Sequence, residues 1–296
     1  MKLSQMAKDI YRLPESHKAK LLDIYLEALN KMWDPKLYLD SMVDIFKIKE
    51  IPTHEKLALQ KILTVILWGE LAAWKVSASL ADQITELEPK LAATSQIMDE
   101  ARHFIAIQKY FELLDLPPED PNNITTYGIG KVIEAPNLLH KLIGMQLMVE
   151  PVAMSIFQAL QNSSVDPVLS SLLQFIMRDE KRHIRFGVNY LPIVLKNTSK
   201  INLLSAFFWQ TRILLLEVDG LKELEPSFIA LGIKPEEVFR LAKTKQSQVL
   251  EEILQETKLP LWISKEMQKL FQIKMDVTFS GASLLSSFRK QYMTRS

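Results

Sequence analysis

Four glutamates and two histidines recur in a fixed order in the middle of the chain. The order is Glu, Glu-x-x-His, Glu, Glu-x-x-His, and the residues are Glu70, Glu100, His103, Glu150, Glu180 and His183. In each half, 30 residues separate the lone glutamate from the glutamate of the following motif. Carboxylate oxygens and imidazole nitrogens are common ligands of transition metals. The repeat therefore predicts a metal site to which both halves contribute the same ligand types.

The spacing within each motif suits a helix, because residues i and i+3 lie on one helix face. Each motif can then offer one oxygen and one nitrogen to an ion, while Glu70 and Glu150 bridge or terminate the pair. This ligand pattern is that of dinuclear iron or manganese sites in helical bundles. The chain contains no cysteine, which excludes thiolate ligands and disfavours a structural zinc site. We therefore expect two iron ions, or manganese and iron, per chain.

The elements that must position these ligands are helices, since glycine is scarce and apolar residues recur at three- and four-residue spacing. A break at residues 85–89 lies midway between Glu70 and Glu100, and NSSVDP lies midway between Glu150 and Glu180. About 15 residues up one helix and about 15 down the next return the chain to the same height. The sequence predicts two helical hairpins whose ligands face each other.

The predicted fold class is all-α, a four-helix bundle with a long crossover and additional flanking helices. The metal-binding core is expected within residues 53–196, and the Pro-, Asn- and Gly-rich segment 114–136 is expected to form the crossover as a long loop. Helices within residues 1–50 and 200–296 are expected to pack around this core. The whole chain, residues 1–296, is then a single domain.

Composition and charge exclude several kinds of partner. The formal net charge is +1 at pH 7, which gives no overall field for nucleic acid or an anionic membrane, and we expect neither. Residues 62–80 and 142–160 are apolar enough to raise the question of a membrane. Each carries a glutamate at its centre, which favours a buried bundle helix. No signal peptide is recognised, so a cytoplasmic location is expected.

The repeat extends beyond the ligands, because both motifs read Asp-Glu-x-Arg-His. Metal-bound imidazoles commonly donate their other ring N–H to a carboxylate. Asp99 and Asp179 are predicted to be these acceptors, each for the histidine of the opposite helix, and Arg102 and Arg182 are expected to neutralise them. A single Glu-x-x-His is often only a solvated charge cluster, but two matched copies favour a functional site.

On these residues the chain resembles the ferritin-like di-iron carboxylate superfamily, in particular the branch of ribonucleotide reductase small subunits and ligand-binding oxidases. The resemblance covers residues 60–195, and DEKRHIRFGVNYL is its most specific part. It implies a ferritin-like fold and dioxygen activation at a dinuclear iron or manganese–iron centre. It also suggests a homodimer, with the apolar segment 202–216 as one candidate interface. Glu217 and Asp219, just beyond that segment, could reach the residues that surround the metal ligands, but a position at the rim of the bundle is expected.

Two positions depart from subfamily patterns within this resemblance. Tyrosyl-radical subunits carry a tyrosine one turn after the first ligand histidine, where this sequence has Ile107. Tyr110 and Tyr190 remain candidate redox residues. Arylamine N-oxygenases carry an extra histidine one turn before the second motif, where this sequence has Ile176. These departures favour an oxidase or oxygenase that acts on an organic molecule.

The expected enzyme uses dioxygen to oxidise or hydroxylate a small hydrophobic substrate, with electrons from a donor such as a ferredoxin or a reductase. No catalytic residue beyond the metal ligands is predicted. Pro151, directly after Glu150, is expected to kink or bulge its helix and to open room beside the metals. An apolar substrate pocket is expected there. Its predicted lining residues are Trp68, Trp74, Phe104, Met148, Met154 and Phe175.

Three alternatives share these residues. A radical-generating subunit would need a partner enzyme and a redox tyrosine or a high-valent metal centre. An iron-binding or storage protein would assemble into cages and load more than two irons per chain. A purely structural bundle would melt at the same temperature with and without metal. Ligands of these types accommodate either iron alone or manganese with iron.

Overall fold

The computed structural model describes residues 9–47, 50–120, 123–257, 265–274 and 277–278. These residues are almost entirely helical, with short connections and no strand among them. The predicted all-α class is confirmed. Parts of the predicted flanking regions, including residues 1–8 and 279–296, lie outside the described residues.

Helices are numbered in chain order. Their bounds are α1 Glu15–Asn30, α2 Pro35–Phe46, α3 Thr53–Gln83, α4 Leu87–Leu114, α5 Asn123–Ile133, α6 Leu138–Ser163, α7 Pro167–Lys196, α8 Lys200–Glu223, α9 Glu225–Ala230 and α10 Pro235–Thr257. Helices α3, α4, α6 and α7 form the central bundle, and the others pack around it. A further helical segment covers residues 265–274.

The central bundle consists of two antiparallel hairpins with short turns. Three residues separate α3 from α4, and three separate α6 from α7. In the second turn Asp166 caps α7 by accepting a hydrogen bond from the N–H of Leu169 at 2.9 Å. Pro167 suits the first position of that helix because its missing N–H is not needed there. Both turns lie midway between the predicted ligands, as their spacing requires.

Apolar side chains fill the bundle on both sides of one polar layer. Leu63, Ile107, Phe157 and Leu172, one from each central helix, are at most 1% exposed. Complete burial of such a side chain contributes about 1.5–3 kcal/mol to stability. This packing offsets the free energy that is needed to hold carboxylates and imidazoles away from water.

Helix α6 changes its hydrogen-bond register just before its glutamate. Residues Ile143–Val149 are π-helical, and the N–H of Glu150 donates to the carbonyl of Met145, five residues earlier. Pro151 follows and has no N–H to continue the regular pattern. The predicted kink or bulge near Pro151 is confirmed in the form of a π-bulge, a feature that often accompanies functional sites.

The crossover between the hairpins is not the loop that was expected. Its middle forms α5, which packs against α3 and α8. Gly128 and Gly130 are poor helix formers and led to the prediction of a loop. The helix is stabilised because apolar residues such as Ile129 and Val132 turn toward the bundle. Tertiary packing therefore overrides the local propensity in this segment.

Three helices in the described part of the chain are long and apolar enough to span a membrane, namely α3, α6 and α8. In the structure, 61% of the most apolar stretch of α3 and 78% of that of α6 is buried, against 28% for α8. Ile201, Leu204 and Phe208 of α8 are exposed apolar residues. This surface overlaps the candidate dimer interface. The homodimer and the absence of a membrane partner stay predictions.

Candidate metal centre

The structure brings the six residues of the repeat into one buried cluster at the centre of the bundle. Glu70 lies on α3, the first Glu-x-x-His motif on α4, Glu150 on α6 and the second motif on α7. Each side chain belongs to a residue that is at most 5% exposed. Two overlapping groups have ligand atoms within 4.8 Å of one another. They are Glu70, Glu100, His103 and Glu180, and Glu100, Glu150, Glu180 and His183.

The overlap of these groups assigns different roles to the glutamates. Glu100 and Glu180 belong to both groups, so their carboxylates are placed to bridge two ions. Glu70 and Glu150 belong to one group each and are placed to terminate one position. The sequence left this assignment open, because spacing along a helix does not reveal which carboxylate reaches between two sites.

Both imidazoles present Nδ1 to the cluster. His103 Nδ1 lies 3.3 Å from Glu70 Oε2 and 3.1 Å from Glu180 Oε1. His183 Nδ1 lies 2.6 Å from Glu180 Oε2 and 3.2 Å from Glu100 Oε1. The two ring centroids are 6.0 Å apart. The nitrogen ligands therefore lie on either side of the shared carboxylates.

The donor set fits two divalent ions. Four ionised carboxylates carry four negative charges, which two divalent cations balance, and neutral imidazoles add no charge. Oε2 of Glu100 is buried and has no hydrogen-bond partner within the described part of the chain, so a shared ligand retains an unused acceptor. A mixed set of carboxylate oxygens and imidazole nitrogens suits iron or manganese.

The electrostatics of the cluster reflect this surplus of negative charge. Burial, together with neighbouring carboxylates, raises the pKa of Glu70 and of Glu150 well above the ordinary value. Burial alone would lower the pKa of His103 and His183, but the surrounding carboxylates outweigh it and hold both pKa values well above the ordinary range. The cluster thus attracts protons when no metal cation is bound, so metal binding should release protons.

Each histidine directs its other ring nitrogen toward the aspartate of the opposite motif. His103 Nε2 lies 3.3 Å from Asp179 Oδ2, and His183 Nε2 lies 3.2 Å from Asp99 Oδ2. A carboxylate in this position favours the tautomer with its hydrogen on Nε2 and leaves Nδ1 free as a ligand. The crosswise pairing is the arrangement that the two matched motifs suggested.

Two buried arginines neutralise these aspartates. Arg182 Nη2 lies 2.9 Å from Asp99 Oδ2 and 2.8 Å from Asp179 Oδ1, and Arg102 contacts both aspartates as well. Burial raises the pKa of Asp99 and Asp179, but hydrogen bonds from the histidines and the charge of Arg182 outweigh it and hold both pKa values below the ordinary range. The result is a charge-balanced network that fixes the imidazoles.

Trp33 joins this network from the flanking helices and was not singled out in the sequence. Its indole N–H donates to Asp179 Oδ2 at 2.8 Å, and its ring lies under the guanidinium of Arg102 at 5.5 Å. Phe175, predicted to line a pocket, packs edge-on against Trp33 at 5.5 Å instead. The connection between α1 and α2 therefore helps to position an acceptor of His103.

Two glutamines were also missed, and they contact the ligands directly. Gln96 Nε2 donates to Glu100 Oε1 at 2.9 Å and to Glu150 Oε1 at 2.8 Å, and Gln146 Nε2 donates to Gln96 Oε1 at 2.7 Å. A side chain at Gly187 would collide with Gln146, so glycine allows α7 to approach at this point. Each glutamine lies four residues before a ligand glutamate. That spacing is a sequence signal that could have identified them.

The two candidate redox tyrosines lie at the hairpin turns. Tyr110 donates to Asp166 Oδ2 at 2.9 Å, and Tyr190 donates to Glu86 Oε2 at 3.1 Å. Each follows a ligand histidine by seven residues, a rise of roughly 10 Å along the helix. Burial and the acidic partner raise the pKa of both phenols. These contacts anchor the turns, and a redox role for either tyrosine stays a prediction.

An apolar cavity of about 150 Å³ opens onto the cluster. The four glutamates of the cluster lie in its wall, and apolar residues of α3, α5, α6 and α8 form most of the remainder. The two halves of the repeat contribute matching positions, which lie five before, one before and three after the lone glutamate. These positions are Val65, Gly69 and Ala73 on α3, and Met145, Val149 and Ala153 on α6.

The predicted pocket residues are not the ones that line this cavity. The six predicted residues, none of which is in its wall, are Trp68, Trp74, Phe104, Met148, Met154 and Phe175. Trp74 is 37% exposed, and Trp68 donates its indole N–H to the carbonyl of Glu119 at 3.1 Å. An apolar side chain near a ligand in sequence can point to another side of the helix, so residue type alone did not locate the wall.

Glu217 was expected at the rim but lies in the cavity wall. Its neighbour on α8, Asp219, forms a partly exposed ion pair with Lys274 at 2.5 Å and agrees better with a rim position. Burial raises the pKa of Glu217 to about 8. This acid is therefore mostly protonated at neutral pH.

Known structures share this arrangement of helices. A protein from Synechococcus with aldehyde deformylating oxidase activity matches with a TM-score of 0.62 and 16% identity, over 73% of this chain and 96% of that protein. The R2-like ligand-binding oxidase from Sulfolobus acidocaldarius matches with a TM-score of 0.60 and 19% identity, over 83% and 94%. A variant R2-like ligand-binding oxidase with a Mn/Fe cofactor gives a TM-score of 0.50 and 17% identity, over 81% and 93%.

These matches establish the fold of the chain. It is a ferritin-like helical bundle, the fold class that the sequence motifs suggested. No protein-family model matches the sequence, and no curated protein is significantly similar to it. Because the identities lie below 20%, reaction and substrate must be argued from the site itself.

Proposed function

We propose that this protein is a dinuclear metal oxidoreductase that uses dioxygen to oxidise or hydroxylate a hydrophobic organic substrate. The observation that carries the proposal is the buried set of four glutamates and two histidines that opens onto an apolar cavity. When bound, two iron ions, or manganese and iron, would supply the redox chemistry with dioxygen. The Synechococcus and Sulfolobus acidocaldarius proteins have the same fold and are oxidases, which supports this class of reaction.

The residues around the site would act through geometry and hydrogen bonding. Glu70 and His103 would hold one ion, and Glu150 and His183 would hold the other. Glu100 and Glu180 would be shared between the two ions. The buried aspartates hold hydrogen on Nε2 of both histidines, which keeps Nδ1 available for metal. Gln96 restricts rotation of the Glu150 carboxylate through its hydrogen bond.

The cavity would bind the substrate and exclude water from the site. An apolar protein cavity of about 150 Å³ can stay dry and bind a molecule of the size of benzene. The cavity of this chain has that volume, so a small ring or a short aliphatic segment would fit beside the carboxylates. We further propose a cytoplasmic homodimer that receives electrons from a donor such as a ferredoxin or reductase. The exposed apolar residues of α8 support the dimer.

The radical-generating alternative has less support from the site. Ile107, one turn after His103, is 1% exposed and occupies the position at which such subunits would carry a tyrosine. The phenols of Tyr110 and Tyr190 are hydrogen-bonded to carboxylates at the hairpin turns. Oxidation of a bound substrate therefore gives the cavity a function, whereas generation of a radical for a partner enzyme does not require the cavity.

The test is metal content per chain by elemental analysis after anaerobic reconstitution with iron and manganese both available. We expect two ions per chain in the native protein and fewer than about 0.2 in the Glu100→Ala, Glu180→Ala double variant, because both positions lose a shared ligand. Dioxygen consumption by the loaded protein with a chemical reductant would then be measured. The iron-to-manganese ratio would distinguish the two metal pairs.

Glu88→Gln is the matched control for this experiment. Glu88 is a buried glutamate on α4, 7% exposed, but it lies outside the cluster. This variant should retain two ions per chain. Near-zero metal in the native protein would reject the dinuclear centre, whereas many irons per chain in a cage assembly would favour iron storage.

A further inference from the structure

Glu217 is the one ionisable residue outside the cluster among the described residues that line the cavity. It lies on α8, which contributes no ligand, and it shares the wall with Glu150 of the cluster. The surrounding residues of α8 in this wall are Ile213, Leu216, Gly220 and Leu221, all apolar or without a side chain. A carboxyl group at such a position gains nothing from apolar packing and requires another explanation.

The two oxygens of Glu217 have different environments. Oε2 accepts a hydrogen bond from Gln246 Nε2 at 2.8 Å, and the same Nε2 donates to the carbonyl of Met148 at 3.2 Å. Oε1 is shielded from solvent and has no hydrogen-bond partner among the residues that the structure describes. A buried oxygen without a partner is unfavourable in the free protein. A ligand that supplies the missing partner would remove this cost.

The hydrogen-bond pattern determines which partner fits. Because Oε2 acts as an acceptor from Gln246, the hydrogen of the neutral acid is placed on Oε1, where the acid becomes a donor. Neutrality agrees with the pKa of about 8 that burial gives this group. No ion pair to Glu217 is present within the described residues. An apolar cavity that presents one neutral donor suits a ligand with one neutral acceptor.

We propose that Glu217 is a recognition residue of this cavity, which donates a hydrogen bond from Oε1 to an uncharged oxygen, such as a carbonyl or hydroxyl, on an otherwise apolar substrate. The proposal rests on the proposed function and narrows its substrate class. The cluster and Glu217 would contact the same molecule at different points of the wall. Gln246 is a positioning residue, since it holds the carboxyl group without contacting the ligand.

The test compares three probes of nearly equal size, benzyl alcohol, toluene and benzylamine. Their affinities for the metal-loaded chain would be measured by calorimetry or by ligand-observed NMR, without any turnover. In the native protein Glu217 should strengthen benzyl alcohol binding relative to toluene. In Glu217→Leu we expect the alcohol-to-toluene affinity ratio to fall about tenfold or more, with unchanged or tighter toluene binding. In Glu217→Gln, whose amide is also a donor, most of the ratio should remain.

Asp219→Asn is the matched control, because Asp219 lies on the same helix but pairs with Lys274. Its affinity ratio should equal that of the native protein. Gln246→Leu should lower the ratio less than Glu217→Leu does, because it frees the carboxyl group without removing it. All variants should retain the metal content of the native chain, since neither Glu217 nor Gln246 belongs to a ligand group.

Several results would overturn this assignment. An unchanged ratio in Glu217→Leu would show that the carboxyl group does not recognise oxygen. Benzylamine binding that depends on Glu217 more strongly than benzyl alcohol binding would assign a cationic partner instead. Absence of binding by all three probes would reject the cavity as a site for this class. If two metals per chain were present in that last case, the proposed dinuclear centre would stand while the substrate class failed.

Discussion

The two halves of the repeat carry the same ligands in different surroundings. Glu150 accepts a hydrogen bond from Gln96, and Gln96 is held by Gln146. The corresponding positions of the other half, four residues before each counterpart glutamate, are Ile176 and Ile66. Helix α6 contains a π-helical segment before its glutamate, whereas α3 is α-helical along its whole length.

This difference teaches that the repeat determines the ligand types but not the properties of each metal position. A hydrogen bond from Gln96 withdraws charge from the Glu150 oxygen and restricts its rotation. Glu70 is bordered by Gly69 at the position that Val149 occupies beside Glu150, so it has more room. We expect the two positions to bind ions with unequal affinity, which is a condition for holding two different metals in defined places.

The largest effect is expected from substitutions in the network of aspartates and arginines that holds the two histidines. Asp179 accepts from Trp33, His103 and three arginines, whereas Asp99 accepts from His183 and two arginines. Asp179→Ala should lower the free energy of unfolding by about 3–5 kcal/mol, because Arg102 and Arg182 are buried and would have to share Asp99 as their one remaining carboxylate partner in this network. Asp99→Ala should lower the free energy of unfolding by less, because Asp99 has fewer partners. Denaturant unfolding measures both.

The exposed Asp40 provides the control for these substitutions. It pairs with Lys36 at 3.7 Å with both side chains largely solvated, so Asp40→Ala should change the free energy of unfolding by less than about 0.5 kcal/mol. Equal losses for Asp99→Ala and Asp179→Ala would show that the two halves are equivalent at this level.

Glu217, which lies outside the repeat, should make the free energy of unfolding depend on pH. Its pKa is about 8 in the folded chain and near 4.5 when unfolded, so the folded chain binds more protons between these values. The free energy of unfolding should therefore fall as the pH rises through this window, by up to a few kcal/mol at about 1.4 kcal/mol per pKa unit. Glu217→Gln removes this dependence. Its stability relative to the native chain should rise from pH 4.5 to 8, and a constant difference in urea unfolding would contradict the assignment.

An intermediate effect is expected from Gln96→Leu, which tests whether the two metal positions differ in affinity. Gln96→Leu removes the hydrogen bonds to Glu150 and to the shared Glu100. It should change the affinity of the ion held by Glu150 by about 10- to 100-fold and that of the other ion less, because of these two glutamates only Glu100 is common to both ions. Stepwise metal titration followed by calorimetry would resolve the two binding events. Gln60→Leu is the control, because Gln60 is buried on α3 but donates to the carbonyl of Pro117. Equal changes in both binding events would argue against unequal positions.

The smallest expected effect concerns the room beside Glu70. A Cβ added at Gly69 meets no atom of the described residues within 4 Å, and the residue lines the cavity. Gly69→Ala should stabilise the helix by about 0.5–1 kcal/mol and weaken toluene binding, because the new methyl group occupies cavity space. Thermal unfolding and probe titration measure the two changes.

Gly130→Ala is the matched control for this trade-off. A Cβ added there also meets no atom within 4 Å in the part of the chain that the structure describes, but Gly130 is not among the described residues that line the cavity. It should stabilise α5 by a similar amount and leave toluene affinity unchanged. A loss of affinity in both variants would attribute the effect to helix rigidity instead of cavity volume.

The central hairpins could be predicted because chemistry and geometry constrain the same residues. Six ligands must meet at one level of the bundle, so 30-residue spacing requires a turn halfway, and the turns lie there. Helix α5 could not be predicted in this way. Its glycines disfavour a helix locally, and only the contacts with α3 and α8 compensate for that.

The sequence prediction did not identify the residues that line the cavity, because most of the residues it chose lie on a different side of α3 and α6. The lining positions that both halves share lie five before, one before and three after the lone glutamate, and so form one stripe at four-residue spacing. The predicted Trp68 and Met148 lie two before, and Trp74 and Met154 lie four after, the same offsets in both halves. The sequence revealed apolar residues near the ligands, but which stripe faces the cavity depends on where α5 and α8 pack. Glu217 was misplaced for the same reason.

The π-helical segment of α6 lies between the part of the helix that packs against α8 and the residue Glu150, which faces the ligand cluster. An α-helix turns about 100° per residue, so a segment that holds one additional residue lets the two ends of α6 keep orientations that an uninterrupted helix could not combine. Before the segment, His140 packs edge-on against Trp209 of α8 at 5.4 Å, and after it Glu150 faces the cluster. A single-residue insertion or deletion within Ile143–Val149 would therefore rotate the part of α6 that packs against α8, while Glu150 keeps its orientation toward the cluster.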